Sequence, residues 1–153
     1  MITLRQAKLT DLDLILDLNT MIFMDNPKYD NDAIKNFAHT PLGRKYFKKA
    51  IKSKDGCFFV AEEDGKMIGY VNGGKMEVSY RKSKYFEIDN LGVIPNKKRL
   101  GIGKKLLDTV EKWVKENGYQ KIYLNSYSKN RNALAFYRKF SYEDIDVCLE
   151  KEI

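Results

Sequence analysis

Nine residues, Lys97-Lys98-Arg99-Leu100-Gly101-Ile102-Gly103-Lys104-Lys105, bring five cations and two glycines together at the head of an amphipathic run. Glycines leave main-chain amides unobstructed. At a helix start those amides lack an intrahelical acceptor, and the helix dipole favours negative charge there. A phosphate or pyrophosphate is the natural occupant. Two familiar phosphate loops do not fit. The P-loop pattern Gly-x-x-x-x-Gly-Lys-Ser/Thr would need glycine at Lys98 and a hydroxyl at Lys105. The dinucleotide fingerprint Gly-x-Gly-x-x-Gly fails because its third position is Leu106.

The elements around this turn are readable from periodicity. Phe86, Ile88, Leu91, Val93 and Ile94 are the apolar residues of a strand that Pro95 ends, since proline has no amide to give to a ladder. After the turn, Ile102, Leu106, Leu107, Val110, Trp113 and Val114 recur three and four apart, the stripe of an amphipathic helix. Gly118 stands where such a helix closes. On the strand, Glu87 and Asp89 are two apart and so share a face, where two neighbouring carboxylates can raise one pKa towards neutrality. Solvation, or pairing with Lys82 or Lys84, is the competing expectation for both acids.

The remaining chain supplies a consistent order. Ile2–Gln6 alternates as a strand, and Thr10 with Asp13 resembles a capping box opening a helix to about Phe23. Asp30 to about Ser53 reads as one or two helices interrupted near Pro41-Leu42-Gly43. Phe58–Glu62 and Met67–Tyr80 read as strands joined by an Asp64-Gly65 hairpin turn. Lys121–Ser126 is a further strand, Asn130–Phe140 a helix and Tyr142–Glu150 a last strand.

Composition bounds the class. The 153 residues suit a single domain over 1–153, and 43% hydrophobic with 32% charged residues is ordinary for a globular chain. No apolar run reaches membrane-spanning length, and MITLRQAKLTDLD lacks the apolar core of a signal peptide. Cys57 and Cys148 each lie among apolar residues of an expected strand and read as buried free thiols. The expectation is a cytoplasmic protein. Residues 1–80 hold 12 Lys/Arg against 11 Asp/Glu and residues 81–153 hold 16 against 10, so the net charge of +7 sits mainly with the anion-binding turn. A basic half is also the footprint of a nucleic-acid-binding module. Zinc-ligand spacing and an aromatic-rich strand of the RNA-binding type are both missing. The only histidine, His39, lies in a polar, turn-prone stretch, and one histidine with two distant cysteines offers no metal site.

Two motifs in order resemble the GCN5-related N-acetyltransferases. Leu91-Gly92-Val93 matches the family's strand ending Leu-x-Val, and Lys98-Arg99-Leu100-Gly101-Ile102-Gly103 matches Gln/Arg-x-x-Gly-x-Gly/Ala, with Lys98 replacing the usual first residue. Downstream, Asn130-Arg131-Asn132-Ala133-Leu134-Ala135-Phe136-Tyr137 matches Asn-x-x-Ala-x-x-Phe-Tyr, and Ser141-Tyr142 stands where Gly-Phe is usual. The element order matches over essentially the whole chain. The resemblance implies an α/β fold of the α+β type, with a mixed, mostly antiparallel sheet flanked by helices. In that fold a splayed parallel strand pair forms the cleft for acetyl-CoA.

The resemblance also implies roles. The cofactor's pyrophosphate would lie on amides of Arg99 to Lys104, including those of Leu100, Gly101, Ile102 and Gly103. Its pantetheine would pair with the backbone of Leu91, Gly92 and Val93 and contact Asn130. Tyr137 would be the general acid, and a phenol with a pKa of about 10 suits a departing thiolate of comparable basicity. Tyr123, Tyr127 and Tyr142 are the alternatives. Relatives acting on ribosomal-protein N-termini carry a Glu at the position of Asn125, which cannot take a proton. Histone-acetylating relatives carry one at the position of Glu87, the expected base, with Asp89 or a water relay as alternatives. The reaction would be direct attack by a primary amine on acetyl-CoA in a ternary complex, because no residue forms a convincing acyl-enzyme nucleophile. The acceptor would be a small-molecule or peptide amine, no metal would be needed, and homodimers are common in the family. A non-catalytic acyl-CoA sensor is the main alternative, with Glu87 locked in a salt bridge and Tyr137 turned away.

Overall fold

The computed structural model describes residues 1–153. Five strands, β1 (Ile2–Gln6), β2 (Gly56–Glu63), β3 (Lys66–Met76), β4 (Tyr85–Val93) and β5 (Lys121–Leu124), form one sheet in that order. Every neighbouring pair is antiparallel except β4–β5, which is parallel. In β2 the side chains of Cys57, Phe59 and Ala61 join one core and those of Phe58 and Val60 the other. A strand apolar on both faces must be covered on both.

Four helices supply the cover: α1 (Leu12–Ile22), α2 (Pro41–Lys52), α3 (Ile102–Glu116) and α4 (Arg131–Lys139). The stripe Ile102, Leu106, Leu107, Val110 and Val114 of α3 is buried against Phe59, Val71, Phe86 and Ile88. On the opposite face, Ile15, Leu16, Leu18 and Ile22 of α1 and Phe47 of α2 pack around Tyr70. Helix α4 lies at the edge of the α3 layer through Phe136. The fold is the expected mixed, mostly antiparallel sheet flanked by helices.

The functional opening comes from one pairing that stops early. Residues Tyr85–Ile88 of β4 pair with Lys121–Leu124 of β5, and β4 then runs on to Val93 with no neighbour on that edge. This is the splayed parallel pair.

Several local expectations are corrected. The α1 cap is not built from Thr10 and Asp13; Asp11 instead accepts from the Lys8 amide (2.7 Å) and from Arg5 (2.7 and 3.1 Å). Pro41 begins α2 rather than interrupting a helix, because Thr40 caps it by accepting from the Gly43 amide (3.1 Å). Residues 29–36 form no helix, and strand β3 ends at Met76, short of Tyr80. The Asp64-Gly65 turn is as expected, with φ of 50° and 75°.

The largest correction is the last strand. Residues 142–153 form no ladder, although Ile145, Val147 and Leu149 alternate with Asp144, Asp146 and Glu150. Alternation fits a strand only where an edge is engaged. Here side chains hold the segment: Tyr142 donates to Glu111 (3.0 Å), and Arg138 and Arg81 bridge to Asp144 (2.6 Å) and Asp146 (3.3 Å). The apolar residues are left exposed, and so is Cys148, contrary to its expected burial. Cys57 is buried as expected, and burial pushes its thiol up to about 12.

Candidate functional site

The anion-binding turn has the geometry its composition implies. A short turn over Pro95–Lys97 follows β4, Arg99 and Gly101 take φ of 66° and 78°, and α3 then starts without a side-chain cap. The first intrahelical bond runs from the Lys105 amide to the Gly101 carbonyl (3.1 Å). The amides of Ile102, Gly103 and Lys104 therefore have no protein acceptor. Two of the five cations are occupied, Lys97 by Glu63 (2.5 Å) and Lys104 by Asp108. Lys98, Arg99 and Lys105 have no ion pair, and all three are exposed. Unsatisfied amides flanked by free cations fit a pyrophosphate.

From that turn the open edge of β4, Leu91–Val93, leads towards α4. Asn130 caps α4 by accepting from the Ala133 amide (3.2 Å), which fixes its side chain at the cleft. Leu91, Asn130, Ala133 and Tyr137 line one cavity of about 1080 Å³, with Phe23 from the end of α1 opposite them. Exposed Cys148 stands at its rim.

Tyr137 is half-buried, edge-on to Phe136 (5.2 Å) and Tyr142 (5.6 Å), and its hydroxyl has no protein partner. Burial pushes its phenol up to about 12. The other candidate tyrosines are engaged: Tyr123 donates to Asn125 (3.0 Å), Tyr127 to Asp30 (3.2 Å) and Tyr142 to Glu111 (3.0 Å).

Glu87 and Asp89 alternate with Phe86 and Ile88 and so face away from the α3 core, and a bulge opposite Asp89 changes the parity after them. Asn72 pairs with Asn90 and Gly73 with Ile88, so Asp89 has no residue across from it. Phe86 and Ile88 join the α3 core, and after the bulge Leu91 and Val93 join it too. Glu87, Asp89 and Asn90 thus all face the α1–α2 side, where they line a smaller cavity of about 340 Å³ next to the first. Simple alternation placed Glu87 and Asp89 on one face; the bulge adds Asn90 to it.

Neither acid is bridged to Lys82 or Lys84. Glu87 makes no hydrogen bond or ion pair, and Lys84 instead donates to the Asn117 carbonyl (3.3 Å). Burial, then the neighbouring Asp89 charge, holds the Glu87 carboxyl above the usual carboxylate range. Burial also raises Asp89, against the hydrogen bond it accepts from Tyr46 (2.8 Å). Asn125 lines the same small cavity. His39 lies against Asp17 (3.2 Å) on the surface. No cluster of three or more His, Cys, Asp or Glu side chains is arranged to hold a metal, and no helix is long and apolar enough to cross a membrane.

Sequence reasoning missed Tyr46, Asn72 and Asn90, which gather around Asp89. The Tyr46 hydroxyl accepts from the side-chain amides of Asn72 (3.0 Å) and Asn90 (3.1 Å). The available signal was two asparagines inside otherwise apolar strands.

A mixed sheet splayed between parallel strands, with uncapped amides at the helix that follows, fits a ligand that carries a phosphate on an extended arm. The comparisons agree. The model of the acetyltransferase (GNAT) family matches residues 20–142, and the chain belongs to that family. It is an acetyl-CoA-dependent N-acetyltransferase. An N-alpha-acetyltransferase of Sulfurisphaera tokodaii is 27% identical over 152 residues, covering 94% of this chain and 81% of that protein. Two solved structures share the fold. A tetramutant of a Bacillus halodurans protein superposes with TM-score 0.85 at 19% identity over 99% of both chains. AAC(6')-Iy, bound to the bisubstrate analogue CoA-S-monomethyl-acetylneamine, superposes with TM-score 0.75 at 15% identity over 100% of this chain and 98% of that one.

Proposed function

We propose that the protein acetylates a primary amine, of a small molecule or a peptide, by direct transfer in a ternary complex. One observation supports this most. The unsatisfied amides of Ile102–Lys104 follow the unpaired edge of β4, and the cavity lined by the partnerless Tyr137 meets that edge at Leu91.

Acetyl-CoA supplies an acetyl group already activated as a thioester. The amides of Arg99, Leu100, Gly101, Ile102, Gly103 and Lys104 hold its pyrophosphate, with Lys98 beside them. The backbone of Leu91, Gly92 and Val93, together with Asn130, aligns the pantetheine. An amide near Val93 polarises the reacting carbonyl, as a preorganised donor aimed at developing charge does. On the acceptor side Glu87, held above its ordinary pKa in a half-buried setting, takes the proton that an ammonium must lose before it can attack. Tyr137 delivers a proton to the departing sulfur. Its phenol loses no existing bond in doing so.

A non-catalytic acyl-CoA sensor would be favoured by a salt-bridged Glu87 and an averted Tyr137. Glu87 has no ion pair and Tyr137 lines the cavity, which supports catalysis instead.

The test is thiol release from acetyl-CoA across a panel of amines: polyamines, aminoglycosides, amino acids and short peptides with free N-termini. Turnover with at least one class, abolished without the amine, is expected. Tight acetyl-CoA binding with no thiol release across the whole panel would favour the sensor.

A further inference from the structure

The hydrogen bonds around Tyr46 have a direction. A phenol carries one proton and two acceptor lone pairs. The amide nitrogens of Asn72 and Asn90 both donate to the Tyr46 oxygen, at 3.0 and 3.1 Å, so the phenolic proton must point elsewhere. The remaining neighbour is Asp89 Oδ2, at 2.8 Å. Asn90 also donates to Asn72 Oδ1 (3.0 Å), which turns the Asn72 amide nitrogen towards Tyr46 and fixes its orientation. Asn72 is 1% exposed, so its side chain is held in place at the buried end of the chain of donors. The chain of donors ends on one oxygen of Asp89.

The other oxygen, Oδ1, accepts nothing from the protein. Asp89 borders both the large cavity that Tyr137 lines and the small one that Glu87 lines. Alternation with Ile88 puts Asp89 on the α1–α2 face, and the bulge brings Asn90 to the same side.

We propose that Asp89 is the docking carboxylate for the acceptor's ammonium group and that Tyr46, from α2, is the residue that positions it. This rests on the amine-acetylating function proposed above and divides the labour between the two acids. Asp89 stays charged, with one oxygen tied by Tyr46 and the other bare for an N–H⁺ donor. Glu87, without any hydrogen bond, is left to accept the proton. The groups facing Asp89 are Tyr46 of α2, Tyr70 of β3 and Glu87 of β4 itself; α1 contributes uncharged Asn19 and the residue after β5 uncharged Asn125. No cation is paired with Asp89; of the two lysines that line the larger cavity, Lys28 is taken by Asp25 (2.8 Å) and Lys35 makes no ion pair with Asp89. An ammonium group is therefore the complementary ligand.

The experiment is a carbon-13 NMR titration of protein labelled at the aspartate and glutamate side-chain carboxyls, with Asp89 assigned through Asp89→Asn and Glu87 through Glu87→Gln. Removing the donor in Tyr46→Phe should raise the Asp89 titration midpoint by about one pH unit, a tenfold change in proton affinity. A purely packing role for Tyr46 would leave the midpoint where it is. The probe ligand is n-butylammonium chloride. In the wild type the Asp89 signal should move on its addition, and in Tyr46→Phe saturation should need several-fold more. Asp89→Asn keeps a polar side chain beside Tyr46, and in it the binding response at neighbouring Glu87 should be lost. That variant keeps the proposal testable if Tyr46→Phe folds poorly. An unmoved midpoint in Tyr46→Phe, or an Asp89 signal blind to n-butylammonium, would overturn the proposal. Acetyl-CoA affinity by calorimetry on the same samples should match the wild type. Its absence in every sample would count against the acetyltransferase reading, with the titration result standing separately.

Discussion

Ile22 packs directly onto Gly92. A Cβ built on Gly92 would lie 2.2 Å from Ile22 Cγ2, so the last turn of α1 rests on bare backbone of β4. Helix and strand meet where the cleft begins, and Phe23, the next residue, lines it. Gly92→Ala should therefore push α1 off the sheet. Overpacking of this kind typically costs about 1–3 kcal/mol. Urea unfolding should show a lower midpoint at unchanged slope, and acetyl-CoA binding should weaken with it. A variant as stable as the wild type would mean that α1 moves aside freely.

Gly92 also marks how far residue types alone could be read. The anion-binding turn, the amphipathic stripe of α3 and the Asp64-Gly65 hairpin are local, and each has a residue type that no other conformation explains so well. The bulge at Asp89 had a weaker trace. Phe86 and Ile88 share one parity and Leu91 and Val93 the other, yet all four reach the same core, which requires one extra residue between them. Tyr46 had no trace at all, because its partner Asp89 lies 43 residues away on another element. The tail beyond Tyr142 misled for the opposite reason. Its alternation is genuine, but a strand also needs an edge to pair with, and sequence pattern does not report that.

At the anion-binding turn, Gly101→Glu should reduce acetyl-CoA affinity by at least about tenfold, or about 1.4 kcal/mol. It sets a carboxylate among amides that would otherwise meet phosphate. Gly101 has φ of 78° and open space around a would-be Cβ, so bulk and backbone strain can be separated from charge. Asparagine tolerates this left-handed conformation better than other residues. Gly101→Asn should stay within a few-fold of the wild type in calorimetry. Equal losses for Asn and Glu would point to strain rather than charge.

Tyr137→Phe removes a hydroxyl that bonds to nothing in the protein. Stability should change by no more than about 0.5 kcal/mol, the range of an uncoupled substitution. General acid catalysis is worth about a hundredfold or more, so kcat should fall by that order while acetyl-CoA affinity holds. Steady-state kinetics with calorimetry separates the two. Retention of full kcat would pass the proton donation to water.

The pH profile tests the two acids together. A base works only when deprotonated, so kcat/KM should fall as pH drops through the pKa of Glu87 in the free enzyme. Burial and the Asp89 charge both hold that pKa above the ordinary 4.5, which places the acid limb higher than an unperturbed glutamate would. Glu87→Gln should flatten the limb and lower the rate throughout. Asp89→Asn removes the neighbouring negative charge, so the Glu87 pKa should drop and the limb shift to lower pH, while the KM for the amine rises. Because the two acids are close, the limb reports the pair rather than either alone, and the direction of its movement is the readout. A limb that moved up in Asp89→Asn, or stayed in place in Glu87→Gln, would assign the titration to a different group.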